Sequence, residues 1–146
     1  MATKEWPSRA APAAYATASC ARVLVVDDDR SLTDTLARLL ANDIVAIEVA
    51  NDPVEGLAHA RQHCPLLIIV DLHLPGMDGY AFIEACRATP GCAEVPIFLA
   101  TGRRDAGLAR RHIDGKHCLV AAEPFDLDTL TAAVQDAIRS HSRGRR

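Results

Sequence analysis

The chain has 146 residues, of which 49% are hydrophobic, 24% charged and 4% aromatic, with a formal net charge of −3. That length and composition predict one domain whose core is packed by Val, Leu, Ile and Ala rather than by rings. The small net charge excludes any general pull toward nucleic acid or anionic lipid, and no apolar run approaches the ~18 residues of a membrane span.

Residues 1 to 20 are rich in Ala, Ser, Thr and Pro and predict a disordered extension without the apolar core of a signal peptide. Cys20, after Thr17-Ala18-Ser19, has no hydrophobic stretch before it, so a lipoprotein site is rejected. From Arg22 onward, short β-rich runs alternate with longer amphipathic ones. Val23–Asp27 predicts a strand. Ser31 with Asp34 predicts the cap of a helix with Leu32, Leu36, Leu39 and Leu40 on its apolar face. Ile44–Val49 predicts a second strand. Asn51 or Asp52 caps the next helix, with Pro53 in its first turn and Val54, Leu57 and Ala58 facing inward.

Leu66–Val70 predicts the third strand, and Pro75-Gly76 and Asp78-Gly79 signal a turn after it. Tyr80–Ala88 follows as a short helix with Phe82, Ile83 and Cys86 on one side. Val95–Ala100 is a fourth strand, residues 104–114 a basic helix, and Cys118–Ala122 a fifth strand. Asp126 or Asp128 starts a last helix that buries Leu127, Leu130, Ala133, Val134 and Ala137. From Ser140 the chain reads as a basic fray. Strands apolar on both faces, alternating with helices, imply a parallel sheet covered on both sides. No repeat or second domain is expected.

Two of these strands end in acid, one in Asp27-Asp28-Asp29 and the other in Asp71. In an open parallel sheet the ligand crevice lies at the carboxyl ends of the strands. If the two strands are neighbours, four carboxylates converge. Like charges so close repel by a few kcal/mol at an effective dielectric of about 20, so a cation is expected. Hard oxygen ligands with room for water suit Mg²⁺. Spacing alone does not separate a metal site from a nucleophile site, because a carboxylate beside a metal can attack phosphorus and become an acyl phosphate. Thr101-Gly102 ends the fourth strand, where a hydroxyl either bonds a phosphoryl oxygen or caps the local backbone.

The runs Val23-Leu24-Val25-Val26-Asp27-Asp28-Asp29, Val70-Asp71-Leu72-His73-Leu74-Pro75-Gly76-Met77-Asp78-Gly79, Pro96-Ile97-Phe98-Leu99-Ala100-Thr101-Gly102 and Pro124-Phe125 resemble the receiver domain of two-component response regulators. The resemblance covers about residues 22 to 140, and the acid pair with Asp-x-x-x-Pro-x-Met-Asp-Gly is highly specific. It implies a flavodoxin-like, doubly wound, five-stranded parallel sheet over residues 21–140, with 141–146 as a basic tail. Asp71 resembles the phosphoacceptor. Asp28 resembles the direct Mg²⁺ ligand, Asp27 acts mainly through water, and His73 gives a backbone carbonyl to the metal. Thr101 resembles the switch hydroxyl, and Asp29 holds a commonly acidic, less essential position.

Two positions depart from the family pattern. Glu123 stands where the family has a lysine before the last-loop proline, and Val120 stands at the aromatic switch position. Three readings of Glu123 follow. It turns to solvent and leaves a slow but working site; it joins the metal shell or pairs with Arg103, whose guanidinium is then the substitute cation; or the domain no longer signals by phosphate. The preferred function is a stand-alone cytoplasmic receiver, not an enzyme, taking phosphoryl groups from a histidine kinase or phosphotransfer protein and acting by protein contact. The alternatives are a phosphorylation-independent binding or adaptor module and a Mg²⁺-dependent phosphohydrolase, the last disfavoured by His73 where a general acid is needed.

Arg103, Arg104, Arg110, Arg111 and His112 make the fourth helix basic, and the helix 4–strand 5–helix 5 face is the expected partner surface. No helix-turn-helix is present to read bases, so specific nucleic-acid binding is not expected. Cys20, Cys64, Cys86, Cys92 and Cys118 lack metal or disulfide spacing and read as reduced thiols. His59 and His63, four apart on one helix, read as solvent-facing histidines, with a metal pair as the other option.

Overall fold

A computed structural model describes residues 21–113, 117–123 and 126–144. The N-terminal extension, Cys20, Pro124-Phe125 and the end of the basic tail lie outside these residues, as do the side chains of Arg103 and Arg143. The elements in chain order are β1 (Ala21–Val26), α1 (Arg30–Leu40), β2 (Val45–Ala50), α2 (Pro53–His63), β3 (Leu67–Asp71), α3 (Gly79–Arg87), β4 (Ile97–Gly102), α4 (Arg103–Ile113), β5 (Cys118–Glu123) and α5 (Leu127–Gly144).

The five strands form one parallel sheet in the order β2-β1-β3-β4-β5. This is the flavodoxin-like fold that the receiver resemblance implies, and the parallel sheet covered on both sides that the strand pattern predicts. Alternate residues of each strand feed two cores. Leu24, Val26, Ile68, Val70, Ile97 and Leu99 pack with Phe82 and Cys86 of α3 and with Ala106 and Ala109 of α4. Val23, Val25, Leu67, Ile69 and Phe98 pack with Leu36 and Leu40 of α1 and with Leu130 and Val134 of α5. Burial on both faces is what makes these strands near-continuous apolar runs.

Several local expectations are corrected. Asp29, not Ser31, caps α1: its backbone is extended, and its side chain accepts a hydrogen bond from the Leu32 N–H. Ser31 is already inside the helix. On α2 the buried residues are Pro53, Gly56 and Ala60, while Val54 is 72% exposed. The small residues win because the helix runs close to the sheet: a Cβ on Gly56 would lie 2.9 Å from Val26 Cγ2. Leu39 and Leu127, placed on buried faces by periodicity, are exposed, and α5 continues through Gly144 rather than fraying at Ser140. Asp52 caps α2, which leaves Asn51 free for another task.

The turn after β3 is fixed by Gly79. Its N–H donates to the Leu72 carbonyl at 2.6 Å, and a Cβ there would lie 2.9 Å from both Leu72 Cα and Leu99 Cδ1. Backbone stands on one side and a core side chain on the other, so neither yields cheaply. Gly79→Ala is expected to cost roughly 1–3 kcal/mol, read as a lower urea midpoint at unchanged slope.

Candidate functional site

The sheet order reverses between β1 and β3, and the strand-end acids meet there. Asp27 follows β1 directly, its N–H donating to the Ala50 carbonyl at the end of β2. Its Oδ1 accepts the Asp29 N–H at 3.0 Å, and Asp29 in turn caps α1. Asn51 Nδ2 donates to the Asp27 carbonyl at 2.9 Å and lies 3.1 Å from Thr33 Oγ1. The end of β1, the first turn of α1 and the β2–α2 loop are thereby tied through one amide. Sequence reading assigned Asn51 only a capping option and gave Thr33 no role. A long-range tie of this kind leaves no spacing signal.

Asp71 ends β3 in register with Ala100 of β4. Carboxylate oxygens of Asp27, Asp28 and Asp71 all lie within 4.8 Å of one another. Asp27 is buried, Asp71 half-buried and Asp28 exposed. Burial first, then the charges of Asp27 and Glu123, push the Asp71 carboxyl up to about 6, against a lowering by the His73 N–H and ring. Burial likewise raises Asp27, opposed by the Asp29 N–H and reinforced by Asp28, Asp29 and Glu123. Among the described side chains, no arginine, lysine or histidine lies within ion-pairing distance of Asp27 or Asp71.

A set of crowded oxygen donors at a partly wet cleft suits a hard divalent cation such as Mg²⁺. Asp27, Asp28 and Asp71 are the side chains that could hold it. The His73 ring turns elsewhere: its Nε2 lies 3.2 Å from Asp105 Oδ2 on α4, bridging the β3–α3 loop to that helix. Asp105 is a further residue that spacing did not single out.

Thr101 sits one residue beyond the Asp71 partner on β4. It is fully buried, and its hydroxyl has no hydrogen-bond partner. A buried orphan hydroxyl costs roughly 1–3 kcal/mol, so a ligand oxygen there would be favoured. Glu123 ends β5 in register with Gly102, half-buried, and its charge acts on both Asp27 and Asp71. Arg103 begins α4 beside this group, but its side chain lies outside the described residues. Val120 is buried on β5 against Leu99 of β4. On α4, Arg104, Arg110, Arg111 and His112 are exposed, and the His112 ring meets that of Tyr80 at 4.3 Å.

Known proteins resemble this chain in sequence and fold. The response regulator MprA of Mycobacterium tuberculosis strain H37Rv is 31% identical over 119 residues, covering 81% of this chain and 50% of that protein. The DNA-binding response regulator MtrA of Mycolicibacterium paratuberculosis is 38% identical over 118 residues, covering 81% and 51%. This chain therefore spans about half the length of these relatives. The chemotaxis response regulator CheY4 of Vibrio cholerae superposes with a TM-score of 0.69 at 28% identity, covering 80% of this chain and 98% of that one. A response regulator receiver domain from Clostridium thermocellum superposes at 0.73 with 23% identity, covering 84% and 97%, and supports the fold alone. The family model of the response regulator receiver domain matches residues 23–135. That match runs from β1 into α5 and takes in both acid-bearing strand ends, so the chain belongs to the response regulator receiver domain family.

Proposed function

We propose that this receiver accepts a phosphoryl group on Asp71 from a histidine kinase or phosphotransfer protein in the cytoplasm. Asp27, Asp28, Asp71 and the His73 carbonyl would hold Mg²⁺. The reading rests on the convergence of three carboxylates within 4.8 Å at the β1/β3 switch point. An oxygen of Asp71 attacks phosphorus. The bond from phosphorus to the donor imidazole nitrogen breaks, and that nitrogen keeps the electron pair and takes a proton from solvent. With its carboxyl at about 6, Asp71 is mostly ionised at pH 7 and needs no general base. Mg²⁺ bound there supplies positive charge for the phosphoryl oxygens. The buried Thr101 hydroxyl is a ready donor to one of them.

Output would pass by protein contact through α4, β5 and α5. In support, β5 is an edge strand carrying Leu119 at 54% exposure, and α4 carries Leu108 at 57% beside its exposed arginines. A phosphorylation-independent binding module is the second reading, favoured by the negative charge of Glu123 beside Asp71.

Intact-mass spectrometry with acetyl phosphate separates the two. One added, base-labile phosphoryl group is expected in the presence of Mg²⁺, and none in Asp71→Asn or with a chelator. No adduct, under conditions that label a lysine-bearing receiver, would leave only the binding module.

A further inference from the structure

A second group of metal-ligating side chains lies on the other side of β1, away from the acid cleft. Glu48 interrupts the apolar run of β2 and faces α2, since its neighbours Val45 and Ile47 feed the opposite core. Its side chain is only 6% exposed. On α2, His59 and His63 stand one turn apart and reach back over it. Ligand atoms of the three residues all lie within 4.8 Å of one another. His63 Nδ1 is 2.7 Å from Glu48 Oε2, and His59 Nδ1 is 3.5 Å from Glu48 Oε1.

This cluster is incomplete by its own hydrogen bonding. Glu48 Oε1 and His59 Nδ1 are both buried, face each other, and neither has a hydrogen-bond partner. A buried carboxylate oxygen that meets a buried ring nitrogen only at 3.5 Å, without a hydrogen bond, is costly in an apolar setting. Arg22 lies 3.2 Å from Oε2, so it compensates the other oxygen and leaves Oε1 open. A small cation between Oε1 and the two Nδ1 atoms would satisfy the orphans at once.

We propose that Glu48, His59 and His63 form a binding site for Zn²⁺ or a similar borderline divalent metal, distinct from the acid cleft and clipping α2 to the edge strand β2. Two imidazole nitrogens and one carboxylate select such a metal over Mg²⁺, which demands oxygen. Tetrahedral bonds of about 2.0–2.1 Å place ligand atoms about 3.3 Å apart, so the cluster needs only small side-chain shifts. On binding, His63 Nδ1 gives up its contact with Glu48 Oε2, its lone pair goes to the metal, and any proton it carries passes to solvent. His59 Nε2 then points at Glu55 Oε2, now 3.9 Å away, the outer carboxylate that commonly orients a ligating histidine. Water fills the fourth position.

The test is calorimetric titration of Zn²⁺ into the reduced full chain, without a histidine tag, in excess Mg²⁺. One site per chain with a micromolar or lower Kd is expected. His59→Ala and His63→Ala should each weaken it more than about tenfold, while Asp71→Asn and Cys64→Ser leave it unchanged. In the wild-type protein, the imidazole NMR signals of His59 and His63 should move with zinc, and those of His73, His112 and His117 should not. That readout needs no variant to fold. Absence of saturable binding, binding that survives both histidine substitutions, loss in Cys64→Ser or Asp71→Asn, or unmoved His59 and His63 signals would each overturn the site.

Discussion

Glu123→Lys will accelerate phosphoryl uptake on Asp71 by roughly fivefold to thirtyfold. The change removes a negative charge that acts on both Asp27 and Asp71 and puts a positive one at the end of β5. Two unit charges about 4 Å apart interact by about 4 kcal/mol at an effective dielectric of 20. Glu123 is half-buried, and water and side-chain rotation reduce that to about 1–2 kcal/mol in the transition state. A tenfold rate change needs only about 1.4 kcal/mol. The same substitution should weaken Mg²⁺ binding, since one fewer anion faces the cleft. Time courses of intact mass with acetyl phosphate measure the first effect, and magnesium titration of the unphosphorylated protein the second. An unchanged rate with weakened magnesium binding would mean that another cation already serves the phosphoryl group, and Arg103 is then the residue to replace.

The second large effect is on stability against pH in metal-free protein. The Asp71 carboxyl rises from 3.8 to about 6 in the fold. Below about pH 3.8 it is protonated both folded and unfolded, and no stability is lost. Between 3.8 and 6 the unfolded chain releases the proton while the native state keeps it, so stability falls as pH rises. Above 6 both states are ionised and the penalty is constant. A shift of this size corresponds to about 3 kcal/mol, reduced to about 2 by solvent at a half-buried site. With chelator present, wild type should therefore lose about 2 kcal/mol relative to Asp71→Asn between pH 4 and pH 7 in urea unfolding. Magnesium at about 100 times its Kd should return about 2.7 kcal/mol at pH 7. A flat difference between the two proteins across this range would show that Asp71 is not held in a destabilised ionised state.

The fold was legible because each strand is apolar on both faces and each helix follows a turn signal. Boundaries moved by a residue or two where capping competes locally. Ser31 and Asp34 spell a cap, yet Asp29 reaches the Leu32 N–H first. Periodicity misplaced Val54 because it ranks side chains by hydrophobicity, whereas Gly56 and Ala60 face inward by being small. The acid cleft was legible from the strand ends, but three carboxylates rather than the expected four meet there, because Asp29 turns to cap α1. What spacing could not give was the environment: the burial that raises Asp71, the unpartnered Thr101 hydroxyl, and the reach of Glu123 from β5 across β4. Glu48 escaped notice for a related reason. A single charge inside Val-Ala-Ile-Glu-Val-Ala reads as noise until α2 lays two histidines over it.

The Asn51 tie bears on how the cleft meets an incoming ion. The loop carrying Asp27 is fixed by the Ala50 carbonyl, the Asp29 N–H and the Asn51 amide before anything binds. Ordering a flexible residue costs roughly 1–2 kcal/mol of conformational entropy, and a floppy acid loop would subtract that from every binding event. Here that ordering occurs once, when the sheet folds. Affinity at this cleft is then governed by desolvation and charge rather than by loop entropy, so exchanging a side chain at Glu123 changes the field in the cleft without also changing how far its first acid wanders.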